Sequence, residues 1–195
     1  KIKEYEKYLI RTAKNIKNST SPYGYVSMGS TIICRANAYI AVGGMPSKKA
    51  TEDFYFLQEL TKYCGVYEID KQLVFPSARY NNHVYLGTGF RMNQMRNGLD
   101  IKSLYYSDLS FVLLKEWLVI GTSSWKLELD LLFEKLDKIN SEIKLYLIKQ
   151  KINFIWNKLN SSSPTENQFI QQFHRWFDAL KTLQFLKYFT KNIKF

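Results

Sequence analysis

From Leu99 to Phe195 the apolar residues recur with the period of an α-helix, which commits the second half of the chain to packed helices. The largest of them are aromatic: Phe169, Phe173, Trp176, Phe177, Phe185 and Phe189 fall mostly at helical spacing. Rings at that spacing are the material of a core before they are a ligand-stacking surface. The spacing predicts one helix over Ile101 to Ile120, one or two over Trp125 to Asn160, and a last one from Pro164 to about Lys191. Ser163 as N-cap, Pro164 at the first helical position and Glu166 as the capping-box acid mark the start of the last helix. The longest apolar run, Leu109 to Ile120, is interrupted by Lys115 and Glu116 and is too short to span a bilayer.

With 195 residues, 46% of them hydrophobic, the chain can bury a sizeable core. Its net charge of +11 is unevenly placed. Lys1 to Thr20 holds six bases against two acids, Ser141 to Phe195 nine against three, and the stretch between is nearly balanced. A solvated basic helix face explains such ends, and attraction to anionic lipid or a polyanionic glycan is the alternative. Lysine outnumbers the arginine that would read bases or clamp phosphates, and no nucleic-acid motif accompanies the charge, so no nucleic-acid partner is expected. Cys34 and Cys64 have no CxxC partner and sit among apolar residues, which reads as two reduced core thiols and a cytoplasmic location. No secretory signal is present, and the abrupt start suggests a chain cut from something longer.

The first half mixes patterns. Lys1 to Asn18 reads as a helix with Tyr5, Tyr8, Leu9, Ala13 and Ile16 on one stripe. Ser30 to Arg35 reads as a short strand, Ala36 to Val42 as a helical turn or two closed by Gly43-Gly44, and Glu52 to Cys64 as a helix stopped by Gly65. Val66 to Asp70 and Leu73 to Phe75 read as strands, and Pro76 to Phe90 as a loop long enough to carry function. The expected fold class is therefore α+β, mostly α, with residues 1–95 as a mixed domain and 96–195 as a helical region.

Three stretches of the mixed half carry a more specific signal. They are Gly29-Ser-Thr-Ile-Ile-Cys-Arg35 running on to Gly43-Gly44, then Thr51-Glu52-Asp53, then Pro76-Ser-Ala-Arg79 running on to Gly87-Thr88-Gly89. In that order and spacing they resemble the acceptor-side half of a family 2, GT-A-type inverting glycosyltransferase, over roughly Pro22 to Phe90. The resemblance implies the C-terminal half of a GT-A α/β domain with few strands. It also implies transfer of a sugar from a nucleotide-sugar, with Mg²⁺ or Mn²⁺, onto a glycan or lipid-linked acceptor. No Asp-x-Asp of the kind that holds the ion appears, so no ion and no turnover are expected of this chain alone.

The resemblance makes Asp53 the general base that takes the proton of the acceptor hydroxyl, a poor nucleophile until then, with Glu52 orienting acceptor hydroxyls. Asp53 also opens a helix, where the dipole favours an acid, and on its own the pair could simply decorate that terminus. Gly29 would let backbone approach a ligand, Ser30 would offer a hydroxyl at the cleft, and Gly43 and Gly44 would shape the loop beneath the acceptor or form an ordinary turn. Arg35 reads as structural. Arg79, Gly87, Thr88 and Gly89 match the loop that meets the leaving diphosphate, the Gly-Thr-Gly backbone either cradling an anion or merely turning. Asn81 and His83 depart from it: His83 stands in place of a second arginine, to contact diphosphate or metal or to sit exposed. Gln172-Phe-His-Arg175-Trp176 matches the QxxRW signature of processive family members such as cellulose synthase, but lies over a hundred residues too far on and within a helix, with His174 toward solvent.

The rival reading is a helical interaction module that binds a partner protein or an anionic membrane through its basic ends. A sheet edge left unpaired would be covered by another copy of the chain or by its own helices, so a homo-oligomer is expected.

Overall fold

The computed structural model describes residues 1–48, 50–69, 71, 73–75 and 87–192, the Ser30 side chain excepted. It is 67% helical and, among the described residues, contains no strand. The α/β expectation is thereby overturned: this is an all-helical fold. Ile32 and Arg35 do take extended backbone angles, with φ/ψ of −95/127 and −72/146. Extended backbone becomes a strand only when a neighbour supplies the ladder, and among the described residues none does. The β-branched composition of Ser30 to Arg35 and Val66 to Ile69 reports side chains suited to a sheet, not a sheet.

The chain divides into two compact units, Lys1–Lys17 with Pro22–Tyr105, and Asn18–Ser21 with Tyr106–Phe195. In the first, helix α1 (Ile2–Asn18) buries Tyr5, Ala13 and Ile16 of its apolar stripe. Tyr5 packs with Met92 and Met95 of α4 (Thr88–Arg96), and Tyr8 meets Tyr105 edge to face at 5.4 Å. A Gly29–Thr31 3₁₀ turn and the short α2 (Ala36–Ala41) precede α3 (Glu52–Cys64). Ala38 of α2 and Phe56, Leu57 and Leu60 of α3 form a second small core, onto which Tyr25, Ile32, Val42 and Val66 fold. The loop at Gly24 lies so close to α1 that an added Cβ would overlap the Lys17 backbone.

Both cysteines are exposed, against the expectation of core thiols. Cys34 lies on the extended segment, and Cys64 is the last residue of α3, a full turn beyond Leu60. Thr88 to Phe90, expected as loop, open α4 instead.

Among the described residues the second unit holds six helices: α5 (Asp108–Thr122), α6 (Leu129–Asp137), α7 (Ser141–Lys149), α8 (Ile152–Ser161), α9 (Glu166–Trp176) and α10 (Ala179–Asn192). Polar caps cut helices that periodicity alone would join. Ser107 accepts the Ser110 N–H at 3.2 Å and starts α5, leaving Ile101–Leu104 as a separate 3₁₀ turn in the first unit. Asp178 accepts the Lys181 N–H at 3.2 Å and separates α9 from α10, so the single helix expected from Pro164 to Lys191 is two. The cap of α9 is Thr165, which accepts from the Gln168 N–H, rather than Ser163. Of the aromatic stripe Phe169, Phe173, Phe177, Phe185 and Phe189 are almost wholly buried, as expected, and Trp176 is half-buried; Trp117 and Trp156 join them in the core. Two indoles also tie the α5–α6 connection down, Trp125 donating to the Ser163 carbonyl at 3.1 Å and Trp156 to the Leu127 carbonyl at 2.8 Å.

Lys151 joins α7 to α8 in the left-handed region, with φ 62 and ψ 34. Its Cβ is strained there, so Lys151→Gly should raise stability by ~0.5–1 kcal/mol in denaturant titration, the relief exceeding the added freedom of the unfolded chain. His174, expected to face solvent, is half-buried, and desolvation lowers its pKa from 6.5 to about 4. The unfolded chain therefore binds the extra proton between those values. Stability is full above about pH 6.5 and falls as the pH drops toward 4, by ~2 kcal/mol once partial exposure is allowed for. His174→Gln should flatten that part of the pH profile, read as denaturation midpoints at neutral and acid pH.

Candidate functional site

Asp53 stands in the first turn of α3, half-buried, with a backbone N–H on each carboxylate oxygen. Gly29 donates to Oδ2 at 3.1 Å, and Phe54 donates to Oδ1 at 2.7 Å. The Gly29 contact spans 24 positions and brings the first motif onto the second. A carboxylate oxygen has two lone pairs, so each keeps one free for a further donor. A Cβ added to Gly29 would lie 3.5 Å from the Asp53 Cβ, an ordinary van der Waals contact, so the approach does not itself demand glycine.

The helix that carries Asp53 begins under strain. Thr51 has φ 67 and ψ 14, a left-handed conformation that a β-branched residue rarely adopts, and its hydroxyl does not cap the helix. Such outliers persist where the surroundings over-determine them, and this one sets the direction in which Glu52 and Asp53 leave the loop. Glu52 is half-buried in the same turn.

Gly43 and Gly44 do adopt unusual backbone angles, with φ of 79 and 75, but in the service of a helix end. The Gly44 N–H reaches the Tyr39 carbonyl at 2.8 Å and the Gly43 N–H the Ile40 carbonyl at 3.0 Å, the paired bonds of a Schellman C-cap on α2. Their effect on α3 runs through Tyr39, whose ring meets Phe56 edge to face at 5.5 Å. Gly87, with φ 96, is the N-cap of α4, and its carbonyl accepts the Arg91 N–H at 3.1 Å. Thr88 and Gly89 form the first turn of α4. Arg79 and His83 lie outside the described residues.

Two residues of α1 and α4, Tyr5 and Arg91, carried no motif signal. Burial pushes the Tyr5 phenol above its ordinary pKa, the Arg91 guanidinium pulls it down, and Tyr8 and Asp53 push it further up. Tyr5 is visible in the sequence only as a member of an apolar stripe, and Arg91 only as an arginine following the Gly-Thr-Gly, so neither carried a functional signal. Arg91 is held in place by Gln94, to whose Oε1 its Nη1 donates at 2.6 Å.

Among the described residues no three His, Cys, Asp or Glu side chains come together as a metal-ion site. Among them, too, no helix is long and apolar enough to cross a membrane. Comparison with protein-family models, with curated proteins and with solved structures finds no match to this chain.

Proposed function

We propose that the first unit is the acceptor-side part of a sugar-transferring enzyme, in which Asp53 is the general base. The observation that carries this reading is the Gly29–Asp53 hydrogen bond, which joins two motifs that the resemblance places at one site. The two backbone donors fix the carboxylate and leave lone pairs for an acceptor hydroxyl. In the step, the acceptor O–H proton passes to Asp53 while the oxygen forms a bond to the anomeric carbon. The bond from that carbon to the nucleotide diphosphate breaks, and the diphosphate leaves with the electron pair. Glu52, in the same turn, orients the acceptor, a glycan or lipid-linked saccharide. The donor nucleotide-sugar and its Mg²⁺ or Mn²⁺ would be held by the donor-binding part of the whole enzyme, with Gly87, Thr88 and Gly89 contacting the leaving diphosphate. The free thiols of Cys34 and Cys64 fit a reducing, cytoplasmic setting.

The test is transfer by the whole enzyme containing this chain, assayed against a panel of nucleotide-sugars and saccharide acceptors, for the native protein and Asp53→Asn. Turnover by the Asn variant close to the native rate would remove Asp53 from the mechanism.

A further inference from the structure

We propose that the uncovered apolar face of the first unit is a self-association surface, on which a second copy of this chain seats in a two-fold dimer. The face arises from alternation along the chain at Ile32–Ile33 and Val66–Tyr67. Ile32 and Val66 pack onto the α2–α3 core, while their neighbours Ile33 and Tyr67 stand 82% and 88% exposed. Ile33, Tyr67, Ile69, Leu73 and Val74 line one groove of about 380 Å³, and Phe75 continues the same run, 79% exposed. Apolar residues on both sides of a segment are the pattern of a layer covered on both faces, and the described residues cover only one.

Together these six side chains leave on the order of 800 Å² in the open, the contribution of one partner to a standard interface and more than a monomer ordinarily exposes in one patch. Among the described residues the charges in the groove lining are one acid and one base, Glu68 and Lys71, and Glu68 already lies 3.7 Å from the Lys17 ammonium. The face therefore does not repel its own copy, despite the chain's net charge of +11. An anionic membrane would call instead for a basic excess around the apolar residues. A two-fold axis sets the same patch against itself, and an apolar face meets that condition without any further complementary feature. The extended backbone at Ile32, without a ladder partner among the described residues, adds an edge that two copies can share.

Sedimentation of the purified chain across a concentration series tests this. A reversible monomer–dimer equilibrium at micromolar concentration or tighter is expected, as for interfaces of roughly this size. The Ile33→Ser/Tyr67→Ser double variant should weaken it on the order of a hundredfold, since a buried aromatic anchor carries most of such an interface. Both side chains are exposed, so the variant's thermal melt at a concentration where both proteins are monomeric should be unchanged. A chain that stays monomeric at the highest concentration, or a dimer that the double variant leaves intact, would overturn the proposal. So would binding to vesicles of anionic phospholipid that the variant abolishes in a protein that never dimerises, which would assign the face to a membrane.

Discussion

Asp53→Asn should lower sugar transfer by the whole enzyme on the order of 10²- to 10⁴-fold while leaving donor affinity nearly unchanged. A base acts on the proton as it leaves the acceptor hydroxyl, so its removal raises the barrier and hardly touches the bound ground state. Because Asp53 also holds two backbone donors, the substitution has a structural consequence that must be separated from the chemical one. A carboxamide has one accepting oxygen, and its NH₂ would face either the Gly29 or the Phe54 N–H, donor against donor. Losing one charge-assisted bond at a half-buried site should cost about 1–3 kcal/mol of stability. Stability and transfer are therefore to be measured on the same samples. A fall in transfer that merely follows the fraction of folded protein would assign Asp53 a structural role.

Gly121→Ala should destabilise the second unit by ~3 kcal/mol, read as a shift of the denaturation midpoint at unchanged slope. In an exposed helix interior the same substitution would stabilise by ~1 kcal/mol, because glycine is a poor helix former. At this position α5 passes α9 closely, and a methyl group on Gly121 would run into the ring of Phe173. That ring has nowhere to move. It is fully buried, with the rings of Trp117 at 5.3 Å, Trp176 at 6.0 Å and Phe169 and Phe177 at 6.3 Å. The overpacking term wins over helix propensity. Phe173→Leu in the Gly121→Ala background should recover part of the loss, a coupling expected only if the ring and the methyl group compete for one space. Equal additive losses in the two backgrounds would place the cause elsewhere.

The helices were legible where one apolar stripe met one core. Tyr5, Ala13 and Ile16 on α1, and Phe169, Phe173, Phe185 and Phe189 on α9 and α10, are buried as their spacing requires. Their ends were less legible, because Ser107, Thr165 and Asp178 compete with serines and acids that look equally good in the sequence. Only the packing of each helix decides which side chain can turn back onto a free N–H. The acidic residue at the start of α3 and the positive φ of Gly43, Gly44 and Gly65 were also visible, since both follow from local backbone chemistry.

What the tertiary structure alone decided was pairing at a distance. Ile32, Ile33, Val66 and Tyr67 have the composition of strands, yet a strand exists only where another main chain lies alongside, and composition holds no record of that. Cys34 and Cys64 are surrounded by apolar neighbours along the chain and still face solvent, since burial is a property of what folds over a residue. The site shows the same division. Asp53 was named from its own motif, but its hold on the Gly29 N–H joins residues far apart in the chain. Local sequence sets the angles of a turn and the stripe of a helix, and closure of the fold sets which of those pieces come within reach of a hydrogen bond.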